Sequence, residues 1–196
     1  FDWLRDQLAV NYEQKAKEYL KDPWEARDEY IHIILNRADE NMNIFFGRHA
    51  GRNLDKDEKV LVLKLLEIQR HALLMYTSCG WFFDELSGLE TVQIMQYASR
   101  AIQLSEVFFQ NGLEKLFQER LDKAKSNMPE HKNGACIYAN FVKPGVIDLK
   151  KVGVHYAVSS LYEDYPESTK IYCYTVTRED YHRVEAGRIK IAVGRV

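Results

Sequence analysis

The chain of 196 residues is 46% hydrophobic and carries 27 basic against 29 acidic side chains, a net charge of -2. A chain of this length buries about 70% of its unfolded surface, which removes the need for a disulfide or metal staple and allows one domain or two small ones sharing an interface. The near-neutral balance argues against a nucleic-acid partner, whose affinity comes mostly from phosphate neutralisation by a basic surface, and no apolar run approaches the roughly 20 residues of a membrane span.

A first helix is expected near 2–21. Asp22-Pro23-Trp24-Glu25 then offers a capping carboxylate, a proline at the first helical position and an acid three residues after the cap, opening a second helix near 23–47. That helix presents Ile31, Ile34, Leu35, Ala38, Met42 and Phe45 on one face. Asp55-Lys56-Asp57-Glu58, Ser87-Gly88-Leu89-Glu90 and Asn111-Gly112-Leu113-Glu114 repeat the cap-x-x-Glu arrangement and predict helices near 56–79, 88–108 and 112–126. Leu61, Leu65, Ile68, Ala72 and Met75, widened by Val62, Leu66 and Leu73, make the third helix the centre of the bundle.

The breaker cluster from Ser126 to Gly134 reads as a loop and separates two textures. Beyond it, Ala135 to Val142, Val152 to Leu161, Lys170 to Thr177 and Arg188 to Val196 are β-branched and aromatic, and they predict four strands of an antiparallel meander. The expected class is therefore α+β: an N-terminal bundle of about five helices over residues 1–130, then a small antiparallel β-region over 131–196. The opening Phe1, and a final strand running to Val196, lead to the expectation of a piece cut from a longer protein.

The segment between the third and fourth helices carries the most unusual chemistry. Trp81-Phe82-Phe83 stand beside Asp84-Glu85, bracketed by Gly80 and Gly88. Solvated connections are normally polar. Two readings follow: the rings plug the end of the bundle, or they face a ligand. Aromatic faces beside carboxylates suit sugars, because a ring stacks on the C–H face while the acids accept from hydroxyls. On the fourth helix Glu90, Gln93, Gln96, Arg100 and Gln103 share one face, suited either to a hydroxyl-rich ligand or to another domain.

Other chemistries find little support. The six histidines are scattered, and none has a His or Cys partner at ligand spacing, so no metal is expected. Arg70-His71 could reach the aromatic loop, although a partly buried, hydrogen-bonded histidine is the commoner outcome. Cys79, Cys136 and Cys173 are widely separated and form no C-x-x-C pair, a poor disulfide framework that favours a reducing, cytoplasmic setting. Cys79 has no base close in sequence to make it a nucleophile. No glycine-rich phosphate loop is present, and no cofactor is expected.

The string from Gln69 to Thr91, together with Trp24-Glu25-Ala26-Arg27-Asp28 and Tyr97 to Leu104, resembles the domain of unknown function numbered 3536 that follows the catalytic barrel in glycoside hydrolase family 57-like proteins. The resemblance implies a helical region packed on the barrel of the same polypeptide and closing one side of its active site. It implies that the catalytic Glu and Asp lie in the barrel, so that no catalytic residue is expected here. Trp81, Phe82, Asp84, Glu85, Gln93 and Arg100 are the expected substrate-binding set, with an oligo- or polysaccharide as the ligand. The competing expectation is a structural scaffold without sugar contact.

Overall fold

The computed structural model describes residues 1–171 and 174–196, so Cys173 lies outside the described residues. The chain forms two compact units, Phe1–Val146 and Ile147–Val196. The class is α+β, with more helices than the five expected and with strands confined to the second unit.

In the first unit, α1 (Asp2–Ala16) buries Leu4, Leu8, Tyr12 and Ala16, one residue per turn along a single stripe. α5 (Lys56–Leu74) buries Val62, Leu65, Leu66, Ile68 and Ala72, much as its periodicity predicts, although Leu73 stays exposed. It packs on α1 and on α6 (Leu89–Ser105), the most thoroughly buried helix of the unit. Buried Gln69 of α5 donates to the Leu8 carbonyl at 3.2 Å, which satisfies an amide that would otherwise be costly in the core.

The helix expected over 23–47 is three: α2 (Pro23–Glu29), α3 (Ile31–Leu35) and α4 (Asp39–His49). The break after Leu35 comes from Asn36, which turns extended (φ -147°) and accepts the Ala38 amide on its side-chain oxygen at 2.9 Å. Asn41 donates to the His32 and Asn36 carbonyls at 2.9 and 2.7 Å. Asparagine side chains here replace the helical ladder. As a result Ile31 and Leu35, expected on the buried face, are exposed, and Ile33 takes the core position.

α7 (Leu113–Leu121) follows, and then a segment that departs from expectation. Ala135 to Val142, predicted as a strand, is helical. α8 (Gly134–Ile137) runs on into a π-type stretch, Tyr138–Val142, and a 3-10 turn, Lys143–Gly145. Asn133 caps α8 by accepting the Cys136 amide at 2.9 Å. Ile137, Tyr138 and Val142 are buried in the bundle core, packed on α6 and α7. Residues 131–146 therefore belong to the helical unit and not to a β-region.

The second unit opens with α9 (Leu149–Ser159), which replaces the strand expected over Val152 to Leu161. Asp148 accepts the Lys151 amide at 2.8 Å as its cap, and Val152 and Tyr156, four residues apart, are its buried pair. Two antiparallel hairpins follow, in place of a single meander: β1 (Ser168–Ile171) with β2 (Tyr174–Thr177), and β3 (Asp180–Ala186) with β4 (Ile189–Arg195). β3 was absent from the expected strands. Gly187 (φ +62°) takes the left-handed position in the β3–β4 turn.

Two of the four expected cap signals hold. Asp22 accepts the Trp24 and Glu25 amides, and Asp55 forms a reciprocal capping box with Glu58. Gly88 and Gly112 occupy the other two cap positions without a side-chain bond, so Ser87 and Asn111 do not cap. The two classes separate by measurement: Asp55→Ala should lower the urea-unfolding free energy by about 1 kcal/mol, whereas Ser87→Ala should change it by less than about 0.5 kcal/mol.

Candidate functional site

The aromatic loop is built on the end of α5. After Leu74 the chain makes a turn and a short 3-10 helix, Ser78–Trp81, so the helix does not reach residue 79 as expected. Gly80 is buried against α6, and a Cβ placed on it would lie 2.3 Å from Ile94 Cγ2. The Gly80 carbonyl accepts the Thr91 hydroxyl at 3.3 Å. Only a residue without a side chain lets the loop seat this closely on the first turn of α6.

Trp81 lies half over solvent, 53% exposed. Its indole N–H donates to the Met75 carbonyl at 2.9 Å. The ring runs parallel to Tyr76 (centroids 6.0 Å apart, planes within 9°) and meets the edge of Phe1 at 5.4 Å. Tyr76 is itself fixed, donating its hydroxyl to Asp2 at 2.6 Å beneath the Arg5 guanidinium. Burial and the Asp2 bond push the Tyr76 phenol up to about 12. Phe82 and Phe83 are 82% and 54% exposed and pair edge to face at 5.2 Å. None of the three rings closes the core, so the expected plug is not what these side chains form.

The two acids behave differently. The Asp84 side chain is exposed, and its backbone carbonyl accepts the Asn127 side-chain amide at 2.7 Å. Glu85 is a clasp. Its carboxylate accepts the Ser126 hydroxyl at 2.7 Å, the Asn127 amide at 2.8 Å and the Ser87 amide at 2.9 Å. The Ser126 hydroxyl, with the Ser87 and Asn127 amides, overcomes the opposing effect of desolvation and pushes the carboxyl down to about 2. Two donors, Ser126 and Asn127, thus tie the loop to the segment after α7 while Ser87 closes it locally, and most of the carboxylate's accepting capacity is spent inside the protein.

On α6, Gln93, Gln96 and Arg100 are exposed as expected. Arg100 donates to the Gln103 side-chain oxygen at 2.5 Å. Gln96 reaches toward the 3-10 turn, where a Cβ on Gly145 would lie 4.0 Å from its amide nitrogen. Among the described residues, no hydrogen bond, ion pair or ring contact joins Gln93 or Arg100 to the aromatic loop, so the expected substrate-binding set is brought together only at Trp81 to Glu85.

A polar cluster that sequence reasoning did not assemble centres on Glu67 of α5. It accepts from the Tyr30 hydroxyl at 2.7 Å, Arg37 at 3.0 Å and Arg70 at 3.0 Å. Burial raises the Glu67 carboxyl, but these donors and the adjacent positive charges overcome it and leave the group below its ordinary range. His71, partly buried, bonds the Glu67 carbonyl through Nδ1 at 2.9 Å and stands 6.2 Å from the Tyr97 ring. Burial lowers the imidazole's pKa despite that bond. The spacing Glu67, Arg70, His71 carried a signal, since i+3 and i+4 neighbours meet on a helix; Tyr30 and Arg37, far off in sequence, carried none.

Cys79 is an exposed free thiol with no hydrogen-bond or ion-pair partner among the described residues, so nothing there activates it. Among the described residues, no group of three His, Cys, Asp or Glu side chains could hold a metal ion, and no helix is long and apolar enough to cross a membrane.

Compared with known proteins, the whole chain, residues 1–196, matches the family model described as Domain of unknown function (DUF3536). No curated protein and no solved structure matches it.

Two measurements test how the loop is held. Because the folded pKa of Glu85 lies below its ordinary 4.5, its stabilisation is present above pH 4.5 and is lost as the pH falls toward about 2. Urea unfolding of the wild type should lose stability through that window relative to Glu85→Gln, and the carboxyl should titrate near 2 by NMR. Separately, Gly80→Ala should cost about 1–3 kcal/mol through overpacking against Ile94, read as a lower denaturation midpoint.

Proposed function

The chain belongs to the DUF3536 family, and from that premise we propose that it is a non-catalytic accessory domain of a carbohydrate-active protein similar to glycoside hydrolase family 57, packing on a catalytic barrel and helping to line a sugar-binding cleft. The observation that carries this reading is the exposed row Trp81, Phe82 and Phe83 on a loop held at both ends. Contiguous exposed rings are costly in water and mark a surface that meets a ligand or partner. A rigid indole with its N–H already satisfied offers its π-face to the C–H face of a sugar ring with little ordering cost. Asp84, whose carboxylate points to solvent-exposed surface, supplies an acceptor for hydroxyls; Glu85, spent on the clasp, positions the loop.

A second reading is favoured by one observation. Phe82 and Phe83 meet edge to face and do not form a continuous flat platform. This arrangement suits insertion into a pocket of a neighbouring protein surface, as in an interaction scaffold. Under either reading this chain supplies no catalytic group.

The test is the affinity of the full protein for maltoheptaose with Trp81→Ala and Phe82→Ala. Because Trp81 is half exposed and makes one hydrogen bond, its loss should cost only about 1 kcal/mol of stability. The sugar-lining reading expects Trp81→Ala to weaken glucan binding by about 0.5–1.5 kcal/mol, roughly twofold to tenfold, with the fold intact. Unchanged glucan affinity, with Phe82→Ala instead releasing the domain from its neighbour, would establish the scaffold reading.

A further inference from the structure

A cleft of about 340 Å³ opens in the first unit where the end of α4 and the following loop face the first turn of α5. This is within the range of small-molecule sites, and it is separate in sequence from the aromatic loop. Its floor is made by buried Phe46 and Leu54. Gly47, in the last turn of α4, also lines it, and a Cβ there would meet nothing within 4 Å, so a side chain added at this edge of the cleft is sterically tolerated.

Of the polar groups on its wall, Arg52 is held by Glu58, whereas the side chains of Lys59, Asn43 and Asn53 make no hydrogen bond or ion pair among the described residues. Lys59 sits with its ammonium 5.6 Å from the Phe46 ring centroid and has no ion-pair partner among the described residues. The preceding acid, Glu58, is already held by both guanidinium nitrogens of Arg52, at 2.8 and 2.6 Å, and by the Asp55 amide. The side-chain amides of Asn43 and Asn53 also have no hydrogen-bond partner among the described residues, and no carboxylate lines the cleft.

We infer that this cleft binds a small polyhydroxylated carboxylate, with its anion on the Lys59 ammonium, its hydroxyls on the Asn43 and Asn53 amides, and its carbon face against Phe46 and Leu54. Each part of the class follows from the lining. One unpaired cation matches one negative charge and is too little for a polyphosphate. The absence of a lining carboxylate disfavours amino acids, whose ammonium would find no partner. Two amides, each able to donate and accept, favour hydroxyls over an aliphatic acid that would leave them unmatched.

The experiment is NMR of the isotopically labelled chain, following the side-chain amides of Asn43 and Asn53 and the backbone amide of Gly47 during titration with D-gluconate. Sorbitol, a neutral polyol of the same length, and acetate, an anion without hydroxyls, are the comparison probes. Gluconate should give saturable shifts at these three residues. Sorbitol and acetate should each bind at least about tenfold more weakly. Lys59→Met, which keeps the side chain over Phe46, and Gly47→Leu, which fills the cleft, should each weaken gluconate by about tenfold or more. Gly47→Leu adds its side chain in open space, so it gives an answer even if Lys59→Met does not fold. Absence of saturable shifts, equal binding of sorbitol, or wild-type affinity in a folded Gly47→Leu chain would overturn the inference. Trp81→Ala should leave gluconate binding unchanged, so this site and the glucan reading fail independently.

Discussion

Glu85 accepts the Ser126 hydroxyl and the amides of Asn127 and Ser87 at once, and the placement of the exposed rings depends on that convergence. The loop before α6 and the segment after α7 lie about forty residues apart in the chain, |i−j| being 41 for the Ser126 bond, and neither has a regular ladder to hold it. A neutral acid would present one oxygen as a donor facing other donors, so the clasp requires the carboxylate and holds the group ionised in return. The Gly80 seat on Ile94 and the indole bond to Met75 anchor the other side of the loop. Rings that would be mobile on an ordinary connection are thereby presented in fixed positions, which is the condition for stacking without a large entropic cost.

Much of the bundle was legible because its signals are local. Asp22 and Asp55 cap as their spacing to Glu25 and Glu58 implies, and the α5 stripe from Val62 to Ala72 is buried as its periodicity requires. The failures have separate causes. Val152, Val154 and Val158 have strand-like side chains, yet the Asp148 cap and the four-residue spacing of Val152 and Tyr156 outweigh that preference. Asn36 breaks a helix by competing for backbone groups, an effect invisible to an apolar-period count. β3 escaped because Asp180, His182, Arg183 and Glu185 make a strand that reads as polar surface.

At the site, sequence composition showed which residues are unusual and not what each one does. Trp81-Phe82-Phe83 stood out because three rings do not belong in a solvated connection, but composition left a bundle plug and a ligand-facing surface both open, and the rings' exposure goes against the plug. The division of labour between Asp84 and Glu85 could not be read from adjacency, because the partners of Glu85 come from residues 126 and 127. The Glu67 cluster was half visible, since Arg70 and His71 follow at helical spacing while Tyr30 and Arg37 arrive through tertiary packing. Local chemistry is legible where the spacing is helical; convergence across the fold is not.

The second unit leaves apolar surface uncovered on one face of its hairpin. In the β3–β4 hairpin, Val184 pairs with Ile191 and His182 with Val193, on a face where Val184, Ile191 and Val193 are all exposed. The opposite face carries Tyr181, Arg183 and Lys190. Tyr181 donates to the Ser160 carbonyl at 2.9 Å, and Lys190 stands over the Tyr162 ring. The hairpin therefore uses its polar side within its own unit, whose buried core among the described residues comprises Val152, Tyr156, Ile171 and Val176. The helical unit has core enough to tolerate three uncovered rings. Exposure of Trp81, Phe82 and Phe83 is thus not a symptom of poor packing nearby: Met75, Gly80 and Ile94 beside them are buried. Trp81, Phe82 and Phe83 stand out from these packed neighbours, as exposed Leu73 and Leu89 do on α5 and α6, and such apolar surface supports the proposed ligand or partner role.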